Sequence, residues 1–170
     1  DLFTWYFGCA YKKLKKCPQD ILDYRLDTIT KGQTDIPRWR KGSVGGVLLN
    51  VYSDSLESYI QAYDLLYRLE KTYPKDLVIV GTSANMRKAI ANKKIALLPM
   101  LEGAVQLKDK PEWLRMFYKL GLRCVTFAYQ TNNLADGRGD NPVHNGISTL
   151  GKAMIKEMHR LGIIIDMSHI

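Results

Sequence analysis

KIALLPMLEGA, from Lys94 to Ala104, is the stretch that decides the fold. An unbroken apolar run from Ile95 to Leu101 has the length of a strand and no polar face, so it reads as a strand buried on both sides. It ends on a carboxylate, Glu102, where Gly103 lets the chain turn into a loop. Two further runs end the same way: Leu122 to Ala128 leads into Tyr129, and Ile163 to Ile165 leads into Asp166 and His169. Parallel-strand barrels present their chemistry like this, at the C-terminal ends of several strands where the loops are free to vary.

Working outward, strand and helix signals alternate from Gly45 onward. Val47 to Tyr52 reads as a strand, and Asp54 as the cap of a helix with apolar positions Leu56, Ile60, Tyr63, Leu66 and Tyr67, stopped by Pro74. Leu77 to Val80 is the next strand, followed by a short helix over Met86 to Ala91. Pro111 opens a helix carrying Trp113, Leu114 and Phe117, with Gly121 just past its end. After a loop rich in Asn, Asp and Gly from Thr131 to Gly146, Ser148 or Thr149 caps a helix with Leu150, Met154, Met158 and Leu161, ended by Gly162. The pieces KLGL at Lys119 and RLGI at Arg160 repeat one helix-stop-strand punctuation, as successive β/α units require.

The pattern implies an α/β fold, a parallel sheet covered by helices. A closed barrel and an open doubly wound sheet share it, and the lack of a glycine fingerprint after the first strand speaks against dinucleotide binding. The first forty-odd residues are less regular and read as a partly helical excursion.

The chain has 170 residues, 46% hydrophobic and 25% charged, an ordinary globular composition from which we expect one soluble domain over residues 1–170. No apolar run approaches the roughly 20 residues of a bilayer span, and nothing at the start reads as a signal segment, so no compartment is indicated. Both ends look cut: the first residue is Asp1 rather than Met, and Ile170 follows directly on an apolar stretch. A fragment of a larger protein is therefore expected. The net charge of +8 is densest at Lys12, Lys13, Lys15 and Lys16, but without a nucleic-acid motif or a row of aromatics it reads as a solvated surface, and no nucleic-acid partner is expected. Cys9, Cys17 and Cys124 are too few and irregular for a disulfide framework or zinc ribbon. Cys124, inside a strand, reads as a small buried residue, and a Cys9–Cys17 bridge is compatible with a secreted form but not required.

Glu102 either caps the next element or binds something, since a carboxylate is seldom buried unless paired or metal-bound. A lone histidine is usually a packing residue, but His169 comes with Asp166 and Ser168, and a ligating imidazole needs an acceptor to fix its tautomer. His144, in a loop, and His159, in a last helical turn, read as surface residues. Tyr129 with Asn132, Asn133 and Asp136 places a phenol, amides and a carboxylate beyond a third strand. Turn chemistry alone explains such loops, yet this one would line the same mouth as Glu102 and His169.

These residues carry a resemblance. Asp1-Leu2, TDIPRWRKGSVGG from Thr34, KIALLPMLEGA from Lys94, YKLGLRCVTFAYQTNNLADG from Tyr118 and NGISTLGKAMIKEMHRLGIIIDMSH from Asn145 resemble, in order and spacing, the renal or membrane dipeptidase family of zinc metallopeptidases, over nearly the whole chain. The resemblance implies a partial (β/α)8 TIM-like barrel of the metal-dependent hydrolase type, two zinc ions and a dipeptide substrate. It implies that Glu102 bridges both metals as the central catalytic ligand, that His169 ligates the second, and that Asp1 ligates the first as the aspartate of a His-x-Asp motif whose histidine would precede the chain. Tyr129 stands where well-known members have a substrate-contacting histidine; a phenol can donate a hydrogen bond there but cannot carry an imidazolium charge. Asn132 and Asn133 are assigned with it to substrate binding. A later metal-binding histidine would lie beyond Ile170, leaving the second site incomplete, so the isolated fragment is expected to be inactive. A barrel hydrolase acting on another amide or ester, and a non-catalytic binding protein of the same fold, stand as alternatives, and a homodimer is left open.

Overall fold

The computed structural model describes residues 25–30, 34–52, 55–138 and 145–170. Asp1, Cys9, Cys17, the lysine run at Lys12 to Lys16, Asp54 and His144 lie outside the described residues. The chain divides into two compact units, residues 1–51 with 60–98 and residues 52–59 with 99–170.

In the first unit, helix α1 (Ile36–Lys41) starts at Asp35, a fully buried N-cap whose carboxylate accepts from the Arg38 amide at 2.9 Å and the Arg38 guanidinium at 2.6 Å. Strand β1 (Gly46–Val51) follows, then helix α2 (Leu56–Thr72), which belongs to this unit from Ile60 onward and ends two residues before Pro74. The α2 stripe differs from the expected one. Tyr59, Ala62, Tyr63, Leu66 and Leu69 are buried, whereas Ile60 and Tyr67 are exposed, so the inward face is rotated by about one residue. Strand β2 (Leu77–Ile79) is followed by helix α3 (Ser83–Ala91), which starts earlier than Met86 because the Thr82 hydroxyl caps the Asn85 amide at 3.1 Å. β2 pairs in parallel with the first half of β3 (Ile95–Glu102), Leu77 opposite Ile95, and β1 flanks β3 as well. Val80, Ala89, Ala96 and Leu98 pack together there with Val78 and Met86.

The second unit begins β3 again at Pro99. A single turn of 3₁₀ helix (Val105–Leu107) leads to helix α4 (Pro111–Lys119), strand β4 (Cys124–Thr126), helix α5 (Thr149–Leu161) and strand β5 (Ile164–Asp166). β3, β4 and β5 are parallel neighbours. β4 is shorter than the apolar run Leu122 to Ala128. The Leu122 amide is spent on the Phe117 carbonyl at 2.9 Å to close α4, and beyond Thr126 the chain bends, with the Phe127 carbonyl accepting from the Asn132 side chain at 3.2 Å. Helix α5 is capped by Ser148, whose hydroxyl accepts from the Gly151 amide at 2.9 Å, and ends at Gly162 with φ 75°. Arg115 of α4 and Glu157 of α5 pair at 3.1 Å.

Burial on both faces holds for β3 and β4. It fails for β1, where exposed and buried positions alternate and Leu48 is exposed, and for β5, where Ile164 is exposed, because nothing among the described residues covers their outer faces. Among the described residues, no helix is long and apolar enough to cross a membrane.

Candidate functional site

Parallel register sets the site. Glu102 of β3 stands opposite Thr126 of β4, and Thr126 opposite Asp166 of β5, so one rung at the carboxyl ends of three strands carries a carboxylate, a hydroxyl and a second carboxylate. In-register parallel strands send paired residues to the same face. The Thr126 hydroxyl, almost wholly buried, donates to Asp166 Oδ2 at 2.7 Å, and the Ser168 hydroxyl donates to Oδ1 at 2.9 Å. Asp166 was expected to orient His169; among the described residues its hydrogen bonds go instead to these two hydroxyls. The two-residue step from Asp166 suits a local side-chain turn with Ser168 better than contact with the imidazole beyond it.

His169 reaches the rung by a backbone turn. The Ile170 amide donates to the Met167 carbonyl at 3.3 Å, and His169, third in that turn, has φ 72°. A left-handed residue that is not glycine is uncommon, though histidine is among those enriched there. The turn throws the imidazole back so that Nε2 lies 3.4 Å from Glu102 Oε1, with the side chains 31% and 22% exposed. Both are therefore held yet open to a small ligand.

Tyr129 packs against this pair. Its ring meets the His169 imidazole edge-on, centroids 4.7 Å apart at 71°, and lies 5.1 Å from the Tyr52 ring. The Arg138 guanidinium sits over it at 5.1 Å. Gly103, with φ 84°, turns the chain after Glu102, and a Cβ there would stand 3.5 Å from Tyr129 Cβ. The loop beyond Tyr129 is pinned from within: Asn132 Oδ1 accepts from the Leu134 and Ala135 amides at 2.7 and 3.1 Å, and Asp136 accepts from the Asn145 and Gly146 amides. Asn133 donates to Asp109 at 2.5 Å. His159 is exposed. Cys124, two residues before Thr126, is a buried thiol pushed up to about 11 by burial and then by the Asp166 charge, so it stays protonated at neutral pH.

Tyr52, Thr126 and Arg138 were not singled out by the sequence. Tyr52 directly follows β1, so asking which residue ends each strand would have found it; Arg138 had no local signal.

The pair fits a divalent metal. Two donors on one tetrahedral zinc at about 2.0–2.2 Å stand roughly 3.4 Å from each other, and a carboxylate with an imidazole is a common zinc donor set. Among the described residues no group of three His, Cys, Asp or Glu side chains is arranged to hold an ion, so Glu102 and His169 form a pair rather than a full shell.

Parallel α/β units with a carboxylate and an imidazole converging at the strand ends form the arrangement used by metal-dependent hydrolases. The particular family follows from comparison. The model of the membrane dipeptidase family, peptidase family M19, matches residues 9–170, and the chain belongs to that family. It is 31% identical over 169 residues to Dipeptidase verJ of Clonostachys rogersoniana, covering 88% of this chain and 43% of that protein. The probable dipeptidase PvdM of Pseudomonas aeruginosa shares the fold with a TM-score of 0.73 at 24% identity, over 85% of this chain and 42% of that one. A metallopeptidase of Rhodobacter sphaeroides, solved with a phosphinate mimic of the dipeptide L-Ala-D-Ala, does so with a TM-score of 0.72 at 19% identity, over 99% of this chain and 56% of that one. The chain thus spans less than half the length of the curated relative it matches. Membership of a metallopeptidase family implies a metal cofactor.

Proposed function

We propose that this segment contributes to a longer zinc-dependent dipeptidase, with Glu102 and His169 as metal ligands, Glu102 shared between two zinc ions, and Asp1 as a ligand of the first. The observation that carries the reading is the 3.4 Å approach of Glu102 Oε1 to His169 Nε2 at the carboxyl ends of parallel strands. Family membership and the dipeptide mimic held by the R. sphaeroides relative support the substrate class. Zinc bound there would polarise the scissile carbonyl and make a water acidic enough to attack near neutral pH.

The chain's own residues hold and orient. Register fixes Glu102 beside Thr126, the turn at Met167 aims His169, and the ring contact with Tyr129 limits imidazole rotation. Tyr129 offers a phenol O–H as a donor to a substrate oxygen. Asn132 acts on the substrate side by holding the loop in shape, and Asn133 stands at its exposed edge. With only Asp1, Glu102 and His169 of the proposed ligand set on this stretch, the 170-residue chain alone is inactive.

The test is dipeptide hydrolysis by a protein of full family length. Chelation abolishes turnover, zinc restores it, and Glu102→Gln lowers both turnover and the zinc content read by elemental analysis. Undiminished hydrolysis after chelation, or turnover by the purified 170-residue chain, overturns the respective part of the proposal.

A further inference from the structure

We infer that Arg138, seated on the Tyr129 ring, recognises a carboxylate of the substrate held at the Glu102–His169 pair. This rests on the dipeptidase reading and adds to it a residue on a loop beyond the strand ends.

Three observations carry it. First, the guanidinium is an exposed cation without a carboxylate among the described residues. Arg25, Arg40, Arg115 and Arg160 each pair with an Asp or Glu within 3.1 Å, whereas Arg138 meets the face of Tyr129. An arginine keeps its charge at any working pH, and stacking on an aromatic ring leaves its in-plane N–H donors directed outward.

Second, its placement is built. Arg138 bridges Gln130 in a parallel pair, and Gly137 approaches that backbone so closely that a Cβ would come within 2.7 Å of the Gln130 carbonyl carbon. The Gly137 amide also donates to the Thr131 hydroxyl at 3.3 Å. The loop therefore doubles back onto the residues just past β4 and delivers Arg138 to the Tyr129 ring.

Third, the reach is right. The two ring contacts put the guanidinium at most about 10 Å from the imidazole; beyond the scissile carbonyl the C-terminal residue of a dipeptide spans about 3.6 Å, a hydrogen bond adds about 3 Å, and an acidic side chain reaches further. With its scissile carbonyl at the Glu102–His169 end, a dipeptide carries its carboxylate toward Tyr129 and the cation lying on it. A phenol never carries positive charge, so Arg138 supplies one, in a form suited to two parallel hydrogen bonds.

Either the C-terminal carboxylate or an acidic side chain of the dipeptide presents this chemistry, and the experiment separates them. Ala-Ala, Ala-Ala amide and Ala-Glu are assayed with the full-length protein, wild type, Arg138→Gln and Arg138→Lys. Arg138→Gln is expected to lower kcat/KM roughly 10- to 100-fold through KM, with kcat and thermal midpoint unchanged, and Arg138→Lys to restore part of the loss. Loss on both Ala-Ala and Ala-Glu, with none on the amide, assigns the C-terminal carboxylate; loss confined to Ala-Glu assigns the side chain. Equal loss on all three substrates, or none, overturns the inference while the dipeptidase reading stands. A wild-type protein that cleaves none of the three removes that reading, and this inference with it.

Discussion

Replacing Gly151 by alanine sets two physical expectations against each other. Gly151 lies in the first turn of α5, and on helix propensity alone alanine there is stabilising by about 1 kcal/mol. The structure predicts the opposite sign. A Cβ at Gly151 would stand 2.1 Å from the Leu134 carbonyl oxygen and 2.8 Å from Ile147 Cγ2, and the first of these is backbone that cannot swing aside. That same carbonyl accepts from the Ser148 amide at 2.9 Å, and the Ser148 hydroxyl caps Gly151. Moving the loop by about an ångström adds an overpacking cost of about 1–3 kcal/mol and breaks a hydrogen bond worth about 0.5–1.5 kcal/mol. After the propensity gain, the net loss is about 2 kcal/mol, or about 4–8 °C in thermal midpoint for a chain of this size. Scanning calorimetry of wild type and variant side by side reads it. Because Leu134 belongs to the loop that carries Arg138, the same substitution in the full-length protein raises KM for a dipeptide as well. An unchanged or higher midpoint would refute the reasoning, since propensity would then have outweighed the contact.

Other outcomes follow from the same rung and from the helix pair. Thr126→Val removes the hydroxyl that donates to Asp166 at 2.7 Å and leaves a carboxylate short of one partner; stability falls by about 1.5–3 kcal/mol in urea titration, and Thr126→Ser recovers most of it. Glu157 is held down to about 2, from an ordinary 4.5, first by its hydrogen bonds to Arg160 and then by the one to Arg115. Its contribution to stability is therefore complete above about 4.5 and is lost as pH falls toward about 2; Glu157→Gln flattens the acid limb of the stability-pH curve in that window and leaves the neutral limb lower than wild type. An acid limb as steep in the variant as in the wild type would show that the two arginines do not hold Glu157 in solution.

Much of this was legible along the chain because it rests on short-range physics. Apolar run length gave β3 within a residue, Pro111 and Gly121 bracketed α4, and Ser148 and Gly162 bracketed α5. The convergence of Glu102, Tyr129 and His169 was legible because residues that follow the strands of a parallel α/β fold share one rim. The α2 stripe was misread since Ile60 and Tyr67 satisfy a helical period as well as Tyr59 and Leu69 do, and periodicity does not say which of two neighbouring stripes faces inward.

The sequence by itself determined the alternation of strands and helices, their caps and stops, and the three chemical groups at the strand ends, because each depends on residues within about one turn or one strand of itself. Only the tertiary structure decided what those groups do to one another. Register across β3, β4 and β5 gave Asp166 to the Thr126 hydroxyl, 40 residues away, and left His169 to meet Glu102. The doubled-back loop placed Arg138 on Tyr129. Contacts between residues tens of positions apart arise from closure of the sheet and loop, and local propensity carries no record of them.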